Sequence, residues 1–134
     1  MTPMKIVLID DSSSANLYHK IMMEEAGMNV EKDVKEFISS VECKNYFQNI
    51  YDQKLLDQFP DVLLLDINIP ILSGWEMVSF LEGLDLGEHT PKVYMVSNSR
   101  NPIDLEKAKT HPIVIDILEK HLEVDFFESI LSQE

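Results

Sequence analysis

The sequence predicts an α/β protein with an open, doubly wound, five-stranded parallel sheet and five flanking helices. Five short apolar segments alternate with segments of helical composition along the 134 residues, as in repeated strand–helix–strand units. Two of those segments, 4–11 and 62–66, carry uninterrupted apolar runs, which are typical of parallel strands buried on both faces. Each run ends in aspartate.

Local signals place the individual elements. Residues 33–39 alternate polar and apolar side chains, which favours a strand near the sheet edge. Serines 12–14 can cap the first helix, Gly27 follows its end, Pro102 opens the fourth helix and Pro112 ends it. We predict strands at 4–11, 33–39, 62–66, 92–97 and 113–120, and helices at 12–26, 41–57, 75–84, 102–111 and 124–131.

The chain is strongly acidic and has the size of one domain, with no sign of a second. Its formal net charge is −13, and Arg100 is its only arginine. Such a surface repels phosphate backbones and anionic lipids, so we expect no nucleic-acid partner and no membrane partner. Much of the acidity serves solubility, but a basic protein face or a cation is the expected ligand.

Cysteine content and hydropathy predict a cytoplasmic protein. Cys43 is the only cysteine, which excludes an internal disulfide and a cysteine-based zinc site and fits a reducing compartment. No apolar run reaches the length of a membrane span, and the first strand begins too early to leave room for a signal peptide. The four histidines lack metal-binding spacing, so we expect them to be exposed or to cap helices.

Polar residues collect at the carboxyl ends of the predicted strands, where ligands bind in open α/β sheets. They are Asp10 and Asp11 after the apolar run of the first strand, Asp66 at the end of the third strand, Ser97 at the end of the fourth and Lys120 at the end of the fifth. The first and third strands are neighbours in the simplest right-handed arrangement, so the three aspartates should meet.

Three neighbouring carboxylates repel one another unless a cation neutralises them. Asp10, Asp11 and Asp66 offer the oxygen ligands that Mg²⁺ prefers, and the backbone carbonyl of Asn68 could add another. Asp66 could also act as a nucleophile and form an aspartyl phosphate. Mg²⁺, Lys120 and the Ser97 hydroxyl would then share the charge of the phosphoryl oxygens.

The sequence resembles the receiver domains of two-component response regulators over nearly its whole length. The resemblance rests on "LIDD" at 8–11, "LLLDINIPILSGWE" at 63–76, "MVSNS" at 95–99 and "LEK" at 118–120. It implies that Asp66 is the phosphoacceptor, that Asp10, Asp11 and the Asn68 carbonyl help to bind Mg²⁺, and that Ser97 and Lys120 contact the phosphoryl group.

The resemblance also implies a flavodoxin-like sheet of order 2-1-3-4-5 and a histidine kinase or phosphotransfer protein as phosphodonor. The chain ends with the fifth predicted helix, so we expect a stand-alone receiver without an effector domain. It would signal through contacts with a downstream protein. Leu17, Ile21, Met22 and Met23 give the first helix a wide apolar face; most of it is expected in the core, and any surplus could dock the kinase. The chain could also pair with a second copy of itself as a homodimer.

Three features depart from the family pattern. The usual proline after the lysine is replaced by His121, and the usual switch aromatic is replaced by Ile117. The segment between the second and third strands is also longer than usual. The first change puts the placement of Lys120 in question, and the second predicts that the aromatic rotamer change of the family is absent.

Two other functions compete with the phosphorylated receiver. A degenerate receiver would bind partners without phosphorylation, which His121 and Ile117 leave open. A small phosphatase could use the same aspartate as nucleophile, but the related enzymes place a second acid two residues further on. Asn68 stands there instead and cannot act as a general acid or base. We therefore expect a phosphoacceptor rather than an enzyme that turns over a substrate.

Overall fold

The computed structural model describes residues 3–132 and contains one parallel sheet of five strands. The strand order is β2-β1-β3-β4-β5, which confirms the predicted order 2-1-3-4-5. All four strand pairs are parallel. The strands are β1 (Ile6–Ile9), β2 (Val34–Phe37), β3 (Val62–Asp66), β4 (Lys92–Ser97) and β5 (Val114–Glu119).

Six α-helices occupy the described residues, so the prediction of five was wrong. They are α1 (Ser13–Glu25), α2 (Val30–Asp33), α3 (Ser40–Asp52), α4 (Gly74–Glu82), α5 (Pro102–Ala108) and α6 (Val124–Leu131). The additional helix, α2, is a single turn begun by Asn29, whose side chain accepts a hydrogen bond from the Lys32 amide. Within residues 3–132, no helix combines the length and the apolar character needed to cross a membrane.

The long segment before β3 contains a left-handed residue and a 3-10 turn, both of which follow helix α3. Helix α3 ends at Asp52, five residues earlier than predicted, and Lys54 then adopts a left-handed φ of 62°. A 3-10 turn follows at Leu56–Gln58. Because Leu55 and Leu56 pack against the core, the additional residues form part of the fold and do not project as a free loop.

Helices cover both faces of the sheet, as the continuous apolar strands require. Strand β3 is buried throughout, and its side chains alternate between two hydrophobic clusters. One cluster contains residues of α3 and α4, including Phe47 and Met77, and the other contains Met23 of α1 and Phe127 of α6. The central strands therefore have little freedom, and their carboxyl ends form a fixed edge.

Candidate functional site

The sheet register brings the predicted acidic residues together. Ile9 lies opposite Leu65 in the parallel pair of β1 and β3, so the residues that follow, Asp10 and Asp66, are neighbours. One carboxylate oxygen from each of Asp10, Asp11 and Asp66 lies within 4.8 Å of the other two. Asp10 and Asp66 are buried, whereas Asp11 is exposed. The three carboxylates converge as the sequence predicted.

Short-range hydrogen bonds hold Asp10 in place. Its Oδ1 accepts a 2.9 Å hydrogen bond from the amide of Ser12, and its carbonyl accepts one of 3.1 Å from Nδ2 of buried Asn16. The Ser12 hydroxyl caps α1 by accepting from the Ala15 amide. The start of α1 therefore fixes both the main chain and the side chain of Asp10.

Asp66 is held by the turn that follows it and by a glycine packed against its backbone. The Asn68 amide donates a 3.1 Å hydrogen bond to Asp66 Oδ1, as in an Asx turn. A Cβ atom on Gly74 would lie 2.8 Å from the Asp66 carbonyl oxygen, 2.8 Å from Ile67 Cα and 2.9 Å from Met95 Cε. Any larger residue at position 74 would therefore push against the strand end that carries Asp66.

The loop after β3 is further fixed by a side chain from α3. The hydroxyl of Ser40, which is buried, donates to the Pro70 carbonyl at 3.1 Å and accepts from the Leu72 amide at 3.2 Å. Between these two residues, Ile71 has a left-handed φ of 67° and is 88% exposed. Such a backbone is unusual for a β-branched side chain.

Lys120 reaches the acidic cluster although His121 replaces the usual proline. Its Nζ lies 2.7 Å from Asp10 Oδ2 and 3.5 Å from Asp66 Oδ2, and its side chain is only 9% exposed. Its amide donates a 2.8 Å hydrogen bond to the carbonyl of Ser97. The Lys120–His121 peptide bond is cis.

The pKa values of Asp66 and Lys120 are both raised, but for different reasons. Burial, reinforced by the Asp10 charge, raises the pKa of Asp66 above its ordinary value, although Lys120 and the Asn68 amide counteract the change. Burial alone would lower the pKa of Lys120, but its contacts with Asp10 and Asp66 outweigh that effect and raise the pKa. Lys120 therefore stays charged, whereas Asp66 gains a proton more readily than an exposed aspartate.

The donor set fits a hard divalent cation. Asp10 Oδ2 is buried and accepts no well-directed hydrogen bond from residues 3–132, although Lys120 Nζ lies nearby. Lys120 brings one positive charge to three carboxylates, so two negative charges are left over if all three are ionised. Oxygen ligands that carry excess negative charge suit Mg²⁺. Asp10, Asp11 and Asp66 are therefore suitable ligands.

Of the two other positions that the sequence singled out, only Ser97 lies at the edge of the sheet next to Asp66, because its neighbour Val96 pairs with Asp66. Ser97 ends β4 and is buried, and its hydroxyl accepts a weak 3.4 Å hydrogen bond from the Ser99 amide. Ile117 is buried in the core. An aliphatic core residue thus occupies the position of the expected switch aromatic. The role of the Asn68 carbonyl as a metal ligand stays a prediction.

Sequence reasoning missed His19, which is buried, so the expectation that the histidines are exposed or cap helices was wrong for this residue. Its Nε2 accepts a 3.1 Å hydrogen bond from the Leu122 amide. The spacing of Ala15, His19 and Met23, which all lie on the buried face of α1, was the signal that could have found it. Leu17 and Ile21 are exposed instead.

The only tryptophan of the chain lies in the first turn of α4. Trp75 is buried, follows Gly74 directly, and donates a 2.9 Å hydrogen bond from Nε1 to Asp104 Oδ1 of α5. Its ring lies 5.4 Å from that of His111, and Lys107 Nζ lies 5.3 Å from its centre. Trp75 therefore connects α4 to α5.

Solved structures of response regulators share this fold over almost the whole chain. A two-component response regulator from Cytophaga hutchinsonii matches with a TM-score of 0.81 and 20% identity, covering 99% of this chain and 100% of that one. The chemotaxis protein CheY4 of Vibrio cholerae matches with a TM-score of 0.74 and 20% identity over 98% of both chains. A response regulator receiver protein from Dyadobacter fermentans matches with a TM-score of 0.71 and 23% identity over 97% and 96%.

No protein-family model and no curated protein sequence matches the chain. The structural likeness establishes the fold alone, which is that of a CheY-like receiver domain. It confirms the fold that the sequence motifs implied.

Proposed function

We propose that the chain is a response regulator receiver that accepts a phosphoryl group on Asp66 in a Mg²⁺-dependent reaction. The supporting observation is the convergence of Asp10, Asp11 and Asp66 beside the Lys120 ammonium group at the carboxyl edge of a receiver fold. A cluster with excess negative charge would repel a phosphodianion, so phosphotransfer needs the additional positive charge of a metal ion.

Asp66 supplies the nucleophile of the proposed reaction. A carboxylate oxygen of Asp66 forms a bond to phosphorus. The bond from phosphorus to the donor nitrogen or oxygen breaks, and its electron pair stays on that donor atom. The Asn68 amide restrains the carboxylate by its hydrogen bond to Oδ1. Lys120 and the Ser97 hydroxyl stabilise the phosphoryl oxygens, and Asp10, Asp11, Asp66 and the Asn68 carbonyl would hold Mg²⁺. When bound, Mg²⁺ orients those oxygens and neutralises their charge.

The proposed donor is a histidine kinase or a phosphotransfer protein, and the output is a contact with a downstream protein. The exposed side chains of Leu17 and Ile21 on α1 offer an apolar surface to the donor. Because the transferred group ends on the protein itself, the chain acts as an acceptor rather than as an enzyme with a free product. The cytoplasmic location also stays a prediction.

Mass spectrometry of the intact protein tests the acceptor. After incubation with Mg²⁺ and acetyl phosphate, the wild-type chain and the exposed control Asp57→Asn should each gain one phosphoryl group, whereas Asp66→Asn should gain none. An adduct on Asp66→Asn would contradict the proposal. No adduct on a folded wild-type chain, with either acetyl phosphate or a phosphohistidine donor, would favour the phosphorylation-independent module. Steady hydrolysis of a phosphomonoester would favour the phosphatase.

The raised pKa of Asp66 predicts the pH dependence of the reaction. Only the ionised carboxylate is a nucleophile, so the rate of adduct formation should fall as the pH decreases through the pKa of Asp66. At subsaturating Mg²⁺ the decrease should begin at a higher pH than an ordinary aspartate would give, and saturating Mg²⁺ should move it to lower pH. Rates measured at several pH values and two Mg²⁺ concentrations test this expectation.

A further inference from the structure

A buried histidine on α1 has no part in the mechanism proposed above. His19 is 3% exposed, and its Nε2 accepts the 3.1 Å hydrogen bond from the Leu122 amide. A ring nitrogen that accepts a hydrogen bond carries no proton, so His19 is neutral with its proton on Nδ1. Burial, together with the nearby His121, lowers the pKa of His19 to about 4, which keeps the ring neutral at physiological pH.

The hydrogen bond is made two residues after Lys120. On the preceding side, the Lys120 amide is fixed to the carbonyl of Ser97 at the end of β4. On the following side, the first fixed point is Leu122, which is held by His19. Lys120 thus lies between an anchor on the sheet and an anchor on α1, while His121 between the anchors is exposed.

A neighbouring residue of α1 holds the same segment from outside. The Tyr18 hydroxyl donates a 2.6 Å hydrogen bond to Glu123 Oε1, and the Tyr18 ring lies 5.0 Å from that of His121. This contact is exposed to solvent and is therefore the weaker of the two. The buried bond to His19 is the one whose loss would leave a main-chain donor without a partner.

We propose that His19 is a positioning residue for Lys120: its hydrogen bond to the Leu122 amide fixes the segment after β5, so that the Lys120 ammonium group lies between Asp10 and Asp66. The inference rests on the proposed function for its kinetic consequence, but not for its geometry. An apolar side chain at position 19 could fill the same space, but it could not accept the hydrogen bond from the loop.

A matched pair of substitutions separates the hydrogen bond from the packing. In His19→Gln the amide oxygen can still accept from the Leu122 amide, whereas His19→Leu fills the space without an acceptor. The first readout is the NMR signal of the Lys120 ammonium group in metal-free protein, assigned by its loss in Lys120→Ala. We expect the signal to persist in His19→Gln and to vanish in His19→Leu, because a displaced ammonium group exchanges rapidly with water.

The second readout is the rate of phosphoryl adduct formation with Mg²⁺ and acetyl phosphate. We expect His19→Leu to lower the rate about tenfold and His19→Gln to keep it within about threefold, because misplacing a charge-stabilising group slows phosphoryl transfer. In a Lys120→Ala background, His19→Leu should have no further effect. That result would show that His19 acts through Lys120.

The two readouts distinguish failure of this inference from failure of the proposed function. If the wild-type chain forms no adduct, the ammonium signal still tests the position of Lys120. A folded His19→Leu that keeps the signal would overturn the inference, and so would equal losses in His19→Leu and His19→Gln, which would indicate packing alone. Should His19→Leu fail to fold, His19→Met takes its place, and a folded His19→Gln without the signal would also overturn the inference.

Discussion

The loops after β3 and β5 both help to position a charged residue at the same edge of the sheet, Asp66 at the end of β3 and Lys120 just after β5, but the two loops are held by different means. The loop of Asp66 contains most of its own restraints, namely the turn at Asn68, the close contact of Gly74 and a capping box between Ser73 and Glu76. The loop of Lys120 depends on α1, which precedes it by about a hundred residues. Local restraints form a recognisable motif in the sequence, whereas a distant hydrogen bond does not.

Removing the close contact at Gly74 should give the largest effect on stability. In Gly74→Ala the new Cβ meets backbone atoms of Asp66 and Ile67 at 2.8 Å, so we expect the free energy of unfolding to fall by about 3 kcal/mol. Gly83→Ala is the matched control, because its Cβ would come no closer than 3.4 Å to Phe80 O. Urea unfolding of both variants measures the difference, and equal stabilities would refute the steric argument.

Acid should lower the free energy of unfolding by less than Gly74→Ala does, because it protonates His19 and so weakens the contact between α1 and the loop after β5. The pKa of His19 is about 4 in the folded protein and 6.5 when unperturbed, so the unfolded chain binds the proton more readily. The stability that neutral His19 provides is therefore complete above pH 6.5 and is lost as the pH falls towards 4. Between pH 7 and pH 5 the loss should be about 2 kcal/mol.

Comparison with His19→Gln isolates this loss from the titration of other groups. The charges that act on His19 are those of His121, Asp10, Lys120 and Glu123, and all four remain in the variant. Urea unfolding at pH 7 and pH 5 should show a larger decrease for the wild-type chain than for His19→Gln. Parallel decreases would mean that His19 does not titrate as its burial requires.

The smallest effect should come from the exposed residue in the β3 loop. Asparagine tolerates the left-handed backbone of Ile71 better than a β-branched residue does. Ile71→Asn should therefore stabilise the protein by about 0.5 to 1 kcal/mol. Ile103→Asn is the control, since Ile103 is also exposed but lies within α5 and should lose a few tenths of a kcal/mol. A loss at position 71 would indicate that Ile71 contributes a contact.

The sheet and the cluster were predictable because local pattern determined them. Apolar runs ending in aspartate fixed β1 and β3, and parallel pairing then brought Asp10 and Asp66 together. The single turn of α2 was missed because only Asn29 and the four residues that follow it define the helix. The end of α3 was misplaced because the left-handed residue there is Lys54 rather than glycine.

His19 illustrates a different limit of prediction. Its position between Ala15 and Met23 on one helical face indicates burial, but burial alone does not name the hydrogen-bond donor. Leu122 becomes that donor only because α1 and α6 pack on the same face of the sheet. The replacement of the usual proline by His121 put the placement of Lys120 in question, and the contact between α1 and the loop, which local sequence does not show, could not answer it in advance.

Trp75 is well placed to serve as an intrinsic fluorescence probe. The chain has one indole, and it stands beside the glycine that touches the backbone of Asp66. The same indole is bound to Asp104 and lies next to His111 and Lys107. Indole fluorescence therefore reports on one position between the acidic cluster and α5. Changes at the acidic cluster or in the contact with α5 can be followed without attaching a label.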